Sequence, residues 1–99
     1  MVTEEKHMNP HGVVHGAVIY ALADTGMGGA LTSQLEEGEI CSTIEIKINY
    51  FRPALAGRLS CRTEIVNKGR KTAVMESTVS DAKERLIAMA MGTFMIIAS

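Results

Sequence analysis

Four residues in the first quarter of this 99-residue chain could do chemistry together: Asn9, His15, Gly16 and Asp24. Asp24 stands alone in a 20-residue stretch, GAVIYALADTGMGGALTSQL from Gly16 to Leu35, that carries no other charge. A carboxylate set mid-helix among Ala, Val, Ile and Leu costs free energy unless it is paired or used. A solvated face or a neighbouring hydroxyl would satisfy it without any function. Used, it would be a nucleophile or a general base on water. Gly16 falls at the expected helix start, where unpaired N–H groups and the macrodipole favour negative charge. A carbonyl oxygen docked there would be polarised as in an oxyanion hole, and glycine lets it approach the backbone closely. His15 could equally make a structural hydrogen bond at the helix start, and Asn9 could simply organise the preceding turn.

The spacing sets a limit on how these groups cooperate. Eight residues at a rise of about 1.5 Å put Gly16 and Asp24 about 12 Å apart on one helix. One reacting carbonyl cannot then touch both. If both act on the same atom, they must come from different subunits whose helices face each other. A charge-free helix of small residues is tolerated where such a partner buries it.

The elements that would position these groups follow from periodicity. Asn9-Pro10-His11-Gly12 is turn chemistry, and a helix is expected from Val14–Gly16 to about Gln34, ended by the solvated Glu36-Glu37-Gly38. Its interior glycines Gly26, Gly28 and Gly29 each cost roughly 1 kcal/mol against Ala, which suits a close approach by another backbone. Beyond Gly38 the period becomes two. Ile44, Ile46, Ile48 and Tyr50 point one way and Glu45, Lys47 and Asn49 the other. Arg52-Pro53-Ala54-Leu55-Ala56-Gly57 breaks that strand, and Leu59, Cys61, Thr63 and Ile65 alternate in a second. Asn67-Lys68-Gly69-Arg70 reads as a hairpin turn into a third strand over 72–80. A fourth starts at Leu86, and its run LIAMAMGTFMII is apolar on both faces, as in a central strand. Residues 1–8 leave room for one short edge strand. The pattern is α+β: a long helix covering one face of an antiparallel sheet.

Composition narrows the function. The chain makes one small domain that buries only about 60–65% of its unfolded surface, so self-association is a natural source of further core. With 46% hydrophobic residues, 4% aromatic and no Trp, the core is built from Val, Ile, Leu, Ala and seven Met. A net charge of −1 gives no case for nucleic acid or an acidic membrane. Cys41 and Cys61 lack metal-ligand spacing and read as free buried thiols, which with the polar N-terminus MVTEEKHMNP suits a cytoplasmic protein. Four glycines, Asp24, Gln34 and two Thr argue against Gly16–Leu35 spanning a membrane. The His, Cys and carboxylate spacings fit no metal template, and His7 and His11 read as loop residues. Arg52, Lys68, Arg70 and Lys71 are ordinary surface cations, and also the best candidates to hold phosphates.

Taken together, N-P-H-G-V-V-H-G-A, an Asp eight residues after the Gly, and the strand T-I-E-I-K-I-N-Y-F-R-P resemble the hotdog-fold acyl-CoA thioesterases, in particular the PaaI-like and 4-hydroxybenzoyl-CoA thioesterase group. The resemblance runs from about Asn9 to the C-terminus. It implies a central helix wrapped by about five antiparallel strands, in a homodimer assembled further into a homotetramer, hydrolysing acyl- or aryl-CoA with no cofactor. It further implies that Asn9 holds the attacking water or the thioester, that His15 and Gly16 belong to a His-Gly-Gly motif whose glycine N–H polarises the carbonyl, that Asp24 is the carboxylate from the opposite subunit, and that Thr43 orients water. Lys68, Arg70, Lys71 and Arg52 would hold coenzyme A. Ala17 departs from the motif's second Gly, which narrows the pocket mouth but leaves the Gly16 N–H available. Only eight residues precede Asn9, so the helix and full first strand with which relatives begin are short or missing. Two rivals use the same fold: a 3-hydroxyacyl thioester dehydratase or hydratase, which wants a His near the carboxylate, and a non-catalytic acyl-CoA-binding domain, which gains nothing from Asp24.

Overall fold

The uncharged run does wind into a helix, and it buries one stripe. The computed structural model describes residues 1–98, with α1 over Gly16–Thr32. Ile19, Ala23, Met27 and Leu31, spaced four apart, are its buried residues; they form a single apolar line along the helix. The helix ends at Thr32, two residues earlier than Gln34: the Ser33 N–H still reaches the Gly29 carbonyl, but the Gln34 N–H turns to the Leu31 carbonyl at 2.8 Å, a tighter turn. Gly38, at φ +85°, then reverses the chain into the sheet.

Four strands follow: β1 (Glu39–Tyr50), β2 (Leu59–Lys68), β3 (Thr72–Asp81) and β4 (Leu86–Ala98). All pairs are antiparallel, in the order β1-β4-β3-β2. The two-faced apolar run is thus central, between β1 and β3. The sheet has four strands rather than about five. Residues 1–8 supply only a 3₁₀ turn at Glu5–His7 and isolated bridges, Val2 to Arg58 and Met8 to Val14.

The core lies between α1 and the sheet. Met27, Leu31, Met75 and Phe94 centre one part, and Val14, Ile19, Leu59 and Ile87 the other. The helix crosses the sheet at Gly92, where a Cβ would meet the Met27 sulfur at 2.7 Å and Ile46 at 3.0 Å. Of the helix glycines, Gly26 does serve close packing, though against side chains rather than backbone: a Cβ there would lie 2.9 Å from the Thr63 hydroxyl and 3.0 Å from the Cys61 sulfur. Gly29 faces open space. Cys41 and Cys61 are free and half-buried.

Three register shifts break simple alternation, one of them between Ile65 and Asn67 in the β2–β3 pair, and the other two bear on the site and the core. The β1–β4 register shifts between Thr43 and Glu45, so the extra residue, Ile44, is turned out and stands 49% exposed. That bulge puts Thr43 on the helix-facing side with Ile46, Ile48 and Tyr50, where strict alternation places Ile44. The β3–β4 register shifts between Val79 and Ser80, and Ile87 and Ala88, adjacent in sequence, are both buried.

Candidate active site

The entry to α1 is built by a turn that Asn9 ties together. Its side-chain oxygen accepts the N–H groups of His11 (2.9 Å) and Val13 (3.1 Å), and its own backbone N–H reaches the Val13 carbonyl at 2.7 Å. The Asn9 carboxamide oxygen is therefore occupied, and its NH₂ is what it can offer a ligand. The loop is docked on the segment after β1 by the Val14 N–H, which donates to the Ala54 carbonyl at 2.8 Å.

His15 is the N-cap of α1 and provides no side-chain cap. Its N–H donates to the His7 carbonyl at 2.8 Å, and its carbonyl takes the N–H groups of Val18 and Ile19. Among the described residues no protein group accepts the Gly16 or Ala17 N–H, so the first turn keeps two free donors. Beside them is a cavity of about 380 Å³ lined by Asn9, Gly16, Ile19, Tyr50, Phe51 and Arg52, among others. Gly16, Asn9 and Arg52 thus line one cavity.

Asp24 lies two turns further along, half-buried, and accepts a 2.8 Å hydrogen bond from the Thr43 hydroxyl. The β1 bulge makes this pair possible by turning Thr43 toward the helix. Gly16, Tyr20 and Asp24 fall four residues apart, within an arc of about 80° on the helix surface.

Tyr50 was not singled out by its sequence position. Its hydroxyl donates to the Gly16 carbonyl at 2.7 Å, and a Cβ on Gly16 would lie 3.3 Å from its ring and oxygen. Although the side chain is 48% exposed, its hydroxyl end rests on the helix, and that local burial, with the Tyr20 phenol adding to it, raises its pKa above the ordinary 10.0. The available signal was Tyr50's place at the end of the helix-facing series of β1, opposite a glycine.

Of the four basic candidates, only Arg52 lines the cavity. Lys68 ends β2, and Arg70 and Lys71 lie in the turn to β3, whose first residue, Thr72, pairs with Met95; Tyr50, beside Gly16, pairs with Ala88. Seven residues of β4 separate these levels, about 23 Å at 3.3 Å per residue. Within one chain the basic hairpin and Gly16 are at opposite ends of the sheet. His7 is committed locally, its Nδ1 accepting the Glu4 N–H at 2.8 Å, and His11 is exposed in the turn. Among the described residues no three of His, Cys, Asp and Glu converge as metal ligands, and no helix is long and apolar enough to cross a membrane.

Comparison with known proteins gives a consistent set of likenesses. The Thioesterase superfamily profile matches residues 11–88. A provisionally named esterase of Archaeoglobus fulgidus is 36% identical over 94 residues, 94% of this chain and 59% of that protein. The 1,4-dihydroxy-2-naphthoyl-CoA hydrolase of Listeria monocytogenes is 30% identical over 95 residues, covering 96% of this chain and 76% of that enzyme. The crystal structure of a Bacillus halodurans protein with CoA superposes with a TM-score of 0.95 at 30% identity, over 98% of this chain and 68% of that one.

Proposed function

This chain belongs to the thioesterase superfamily, and from that membership we propose that it hydrolyses acyl- or aryl-CoA thioesters to the free acid and CoA. The observation that carries the reading is the pair of free first-turn N–H groups beside a cavity, with a hydroxyl-held carboxylate eight residues along the same helix. The CoA bound by the Bacillus halodurans protein and the naphthoyl-CoA specificity of the Listeria enzyme support the substrate class.

In this reading the thioester carbonyl docks at the Gly16 N–H, which takes the charge that develops on oxygen. The Asn9 NH₂ donates to the same oxygen or to the water. Asp24 of a second chain takes a proton from water or attacks the carbonyl itself, and the Thr43 hydroxyl holds its carboxylate in place. CoA leaves as the thiolate, which takes up a proton; where Asp24 itself attacks, water then cleaves the acyl-Asp24 anhydride to release the acid and restore the carboxylate. His15 serves through its backbone, as the residue that starts the helix.

The 12 Å separation dictates the symmetry of such a site. For Gly16 to meet Asp24 of the second chain, and the reverse, two antiparallel helices must be related by an axis that passes near the midpoint, Tyr20. The same operation carries the Lys68–Lys71 hairpin of one chain toward the Gly16 end of the other, which reconciles the 23 Å separation with a role in holding the CoA phosphates. Residues 1–99 would form a single hotdog domain that works as a dimer or a dimer of dimers.

The test is release of free thiol from a panel of acyl- and aryl-CoA esters. Turnover of at least one member with the usual saturation is expected. No release from any, together with tight binding of the same esters, would instead favour a non-catalytic binding domain.

A further inference from the structure

We propose that Tyr50 is a positioning residue of this site, holding the first turn of α1 in the orientation that aims the Gly16 N–H into the cavity. The inference rests on the thioesterase reading above and adds a residue to it.

Most helices stabilise their first turn with a side-chain oxygen at the N-cap that accepts one of the free N–H groups. Here the N-cap is His15, with no side-chain bond to the turn. A cap from that side would bond the Ala17 or Val18 N–H and would leave the Gly16 peptide unrestrained at its carbonyl. The tyrosine restrains the turn from its carbonyl side instead, with a 2.7 Å hydrogen bond from its hydroxyl to the Gly16 oxygen. The Gly16 N–H is left free.

Tyr50 is well anchored for this task. It ends β1 opposite Ala88 of the central strand, and the next N–H, that of Phe51, donates to the Ile87 carbonyl at 2.8 Å. Helix start and sheet are thus tied through one phenol. Its ring also forms part of the cavity wall and stands where a side chain at position 16 would go, 3.3 Å from an added Cβ. One side chain therefore both holds the turn and packs closely against its first position.

The bond has two separable consequences. A hydroxyl donating to the Gly16 carbonyl polarises the peptide that carries the Ala17 N–H, because those two groups belong to one amide. The Gly16 N–H belongs to the preceding amide and depends on Tyr50 for its direction. Ala17 is thus an electronic reporter of the contact, while Gly16 performs the chemistry.

The test is Tyr50→Phe, which keeps the ring and removes the hydroxyl, read by amide NMR and by hydrolysis of benzoyl-CoA or another ester turned over by the wild type. We expect the Ala17 amide proton to move upfield and exchange of the bonded Val18 and Ile19 amides to quicken about tenfold. The kcat should fall about tenfold with KM within twofold, since the contact matters where oxygen charge develops. An unchanged Ala17 resonance with unchanged Val18 and Ile19 exchange would overturn the proposal, whatever the kinetics. A changed resonance with unaltered kcat would also overturn it, reducing Tyr50 to a clamp on the fold. A wild-type protein that releases no thiol while still showing the Ala17 shift would refute the thioesterase reading and this role with it, yet leave the Tyr50–Gly16 contact established.

Discussion

Gly16→Pro removes one atom that matters, the N–H proposed to receive the oxyanion, and does so at a position suited to proline. Gly16 is the first residue of α1, where proline's missing N–H breaks no intrahelical bond. His15, at φ −56° and ψ 136°, already has the extended backbone that a following proline requires. A Cβ here, which Pro and Ala share, would lie 3.3 Å from the Tyr50 ring, so the ring must give by a few tenths of an ångström. Gly16→Ala carries that steric cost and keeps the N–H, which makes it the matched control. Loss of one oxyanion donor costs about 10²–10³ in kcat, or about 3–4 kcal/mol. We therefore expect Gly16→Pro to turn over at least about 10²-fold more slowly than Gly16→Ala, with thermal midpoints of the two variants within a few degrees. Thiol release from one CoA ester, followed at saturation, is sufficient. Equal kcat for the Pro and Ala variants would refute the assignment, because the proline variant lacks the N–H and the alanine variant keeps it.

Three further outcomes follow from the same geometry. Asp24→Asn keeps an acceptor for the Thr43 hydroxyl, so folding stability should change by no more than about 0.5 kcal/mol while kcat falls at least about 10²-fold; near wild-type turnover would make Asp24 structural. Arg70→Ala with Lys71→Ala should raise KM for CoA esters more than it lowers kcat, with the effect shrinking as salt rises; an unchanged KM at low salt would place the nucleotide elsewhere. Asp81 is held below the ordinary carboxylate range first by the Arg85 N–H, against which burial works, and then by the Arg85 side-chain hydrogen bond, the Lys83 N–H and the Arg85 charge. Its contribution to stability is therefore present above the ordinary value of 3.8 and is lost as pH falls through the lower folded value. Asp81→Asn should accordingly melt lower than wild type at pH 7 and converge with it in acid; parallel melting curves at both pH values would refute the role.

The helix and the strands were legible because their patterns are long. Twenty residues without a second charge, then runs alternating with period two, admit few readings, and the two-faced run from Leu86 announced the central strand. What alternation could not express was a shift of one residue. The bulge at Thr43–Glu45 turns Ile44 to solvent and Thr43 to Asp24, and the register shift near Ile87 buries two neighbours in sequence. Both depend on strand pairing, which is set by residues about 50 positions away in β4 for the first and by β3 for the second. The helix end came two residues early for a local reason, the tighter bond of the Gln34 N–H to the Leu31 carbonyl. In the site, Gly16 and Asp24 could be read as one pair because a helix fixes their spacing. Tyr50 could not, since its contact with Gly16 spans 34 positions. The basic hairpin was readable as a charge cluster but not as one lying at the far end of the sheet.

The central claim is that one reaction centre draws Gly16 from one chain and Asp24 from another. Mixing Gly16→Pro protein with Asp24→Asn protein, after partial unfolding and joint refolding to exchange chains, tests it most directly. A mixed dimer contains one site with both defects and one with neither, so thiol release should rise from the near-zero level of either variant toward about a quarter of the wild-type rate at equal mixing. Activity that stays at the level of the separate variants, in a sample shown to contain mixed dimers, would contradict the shared site.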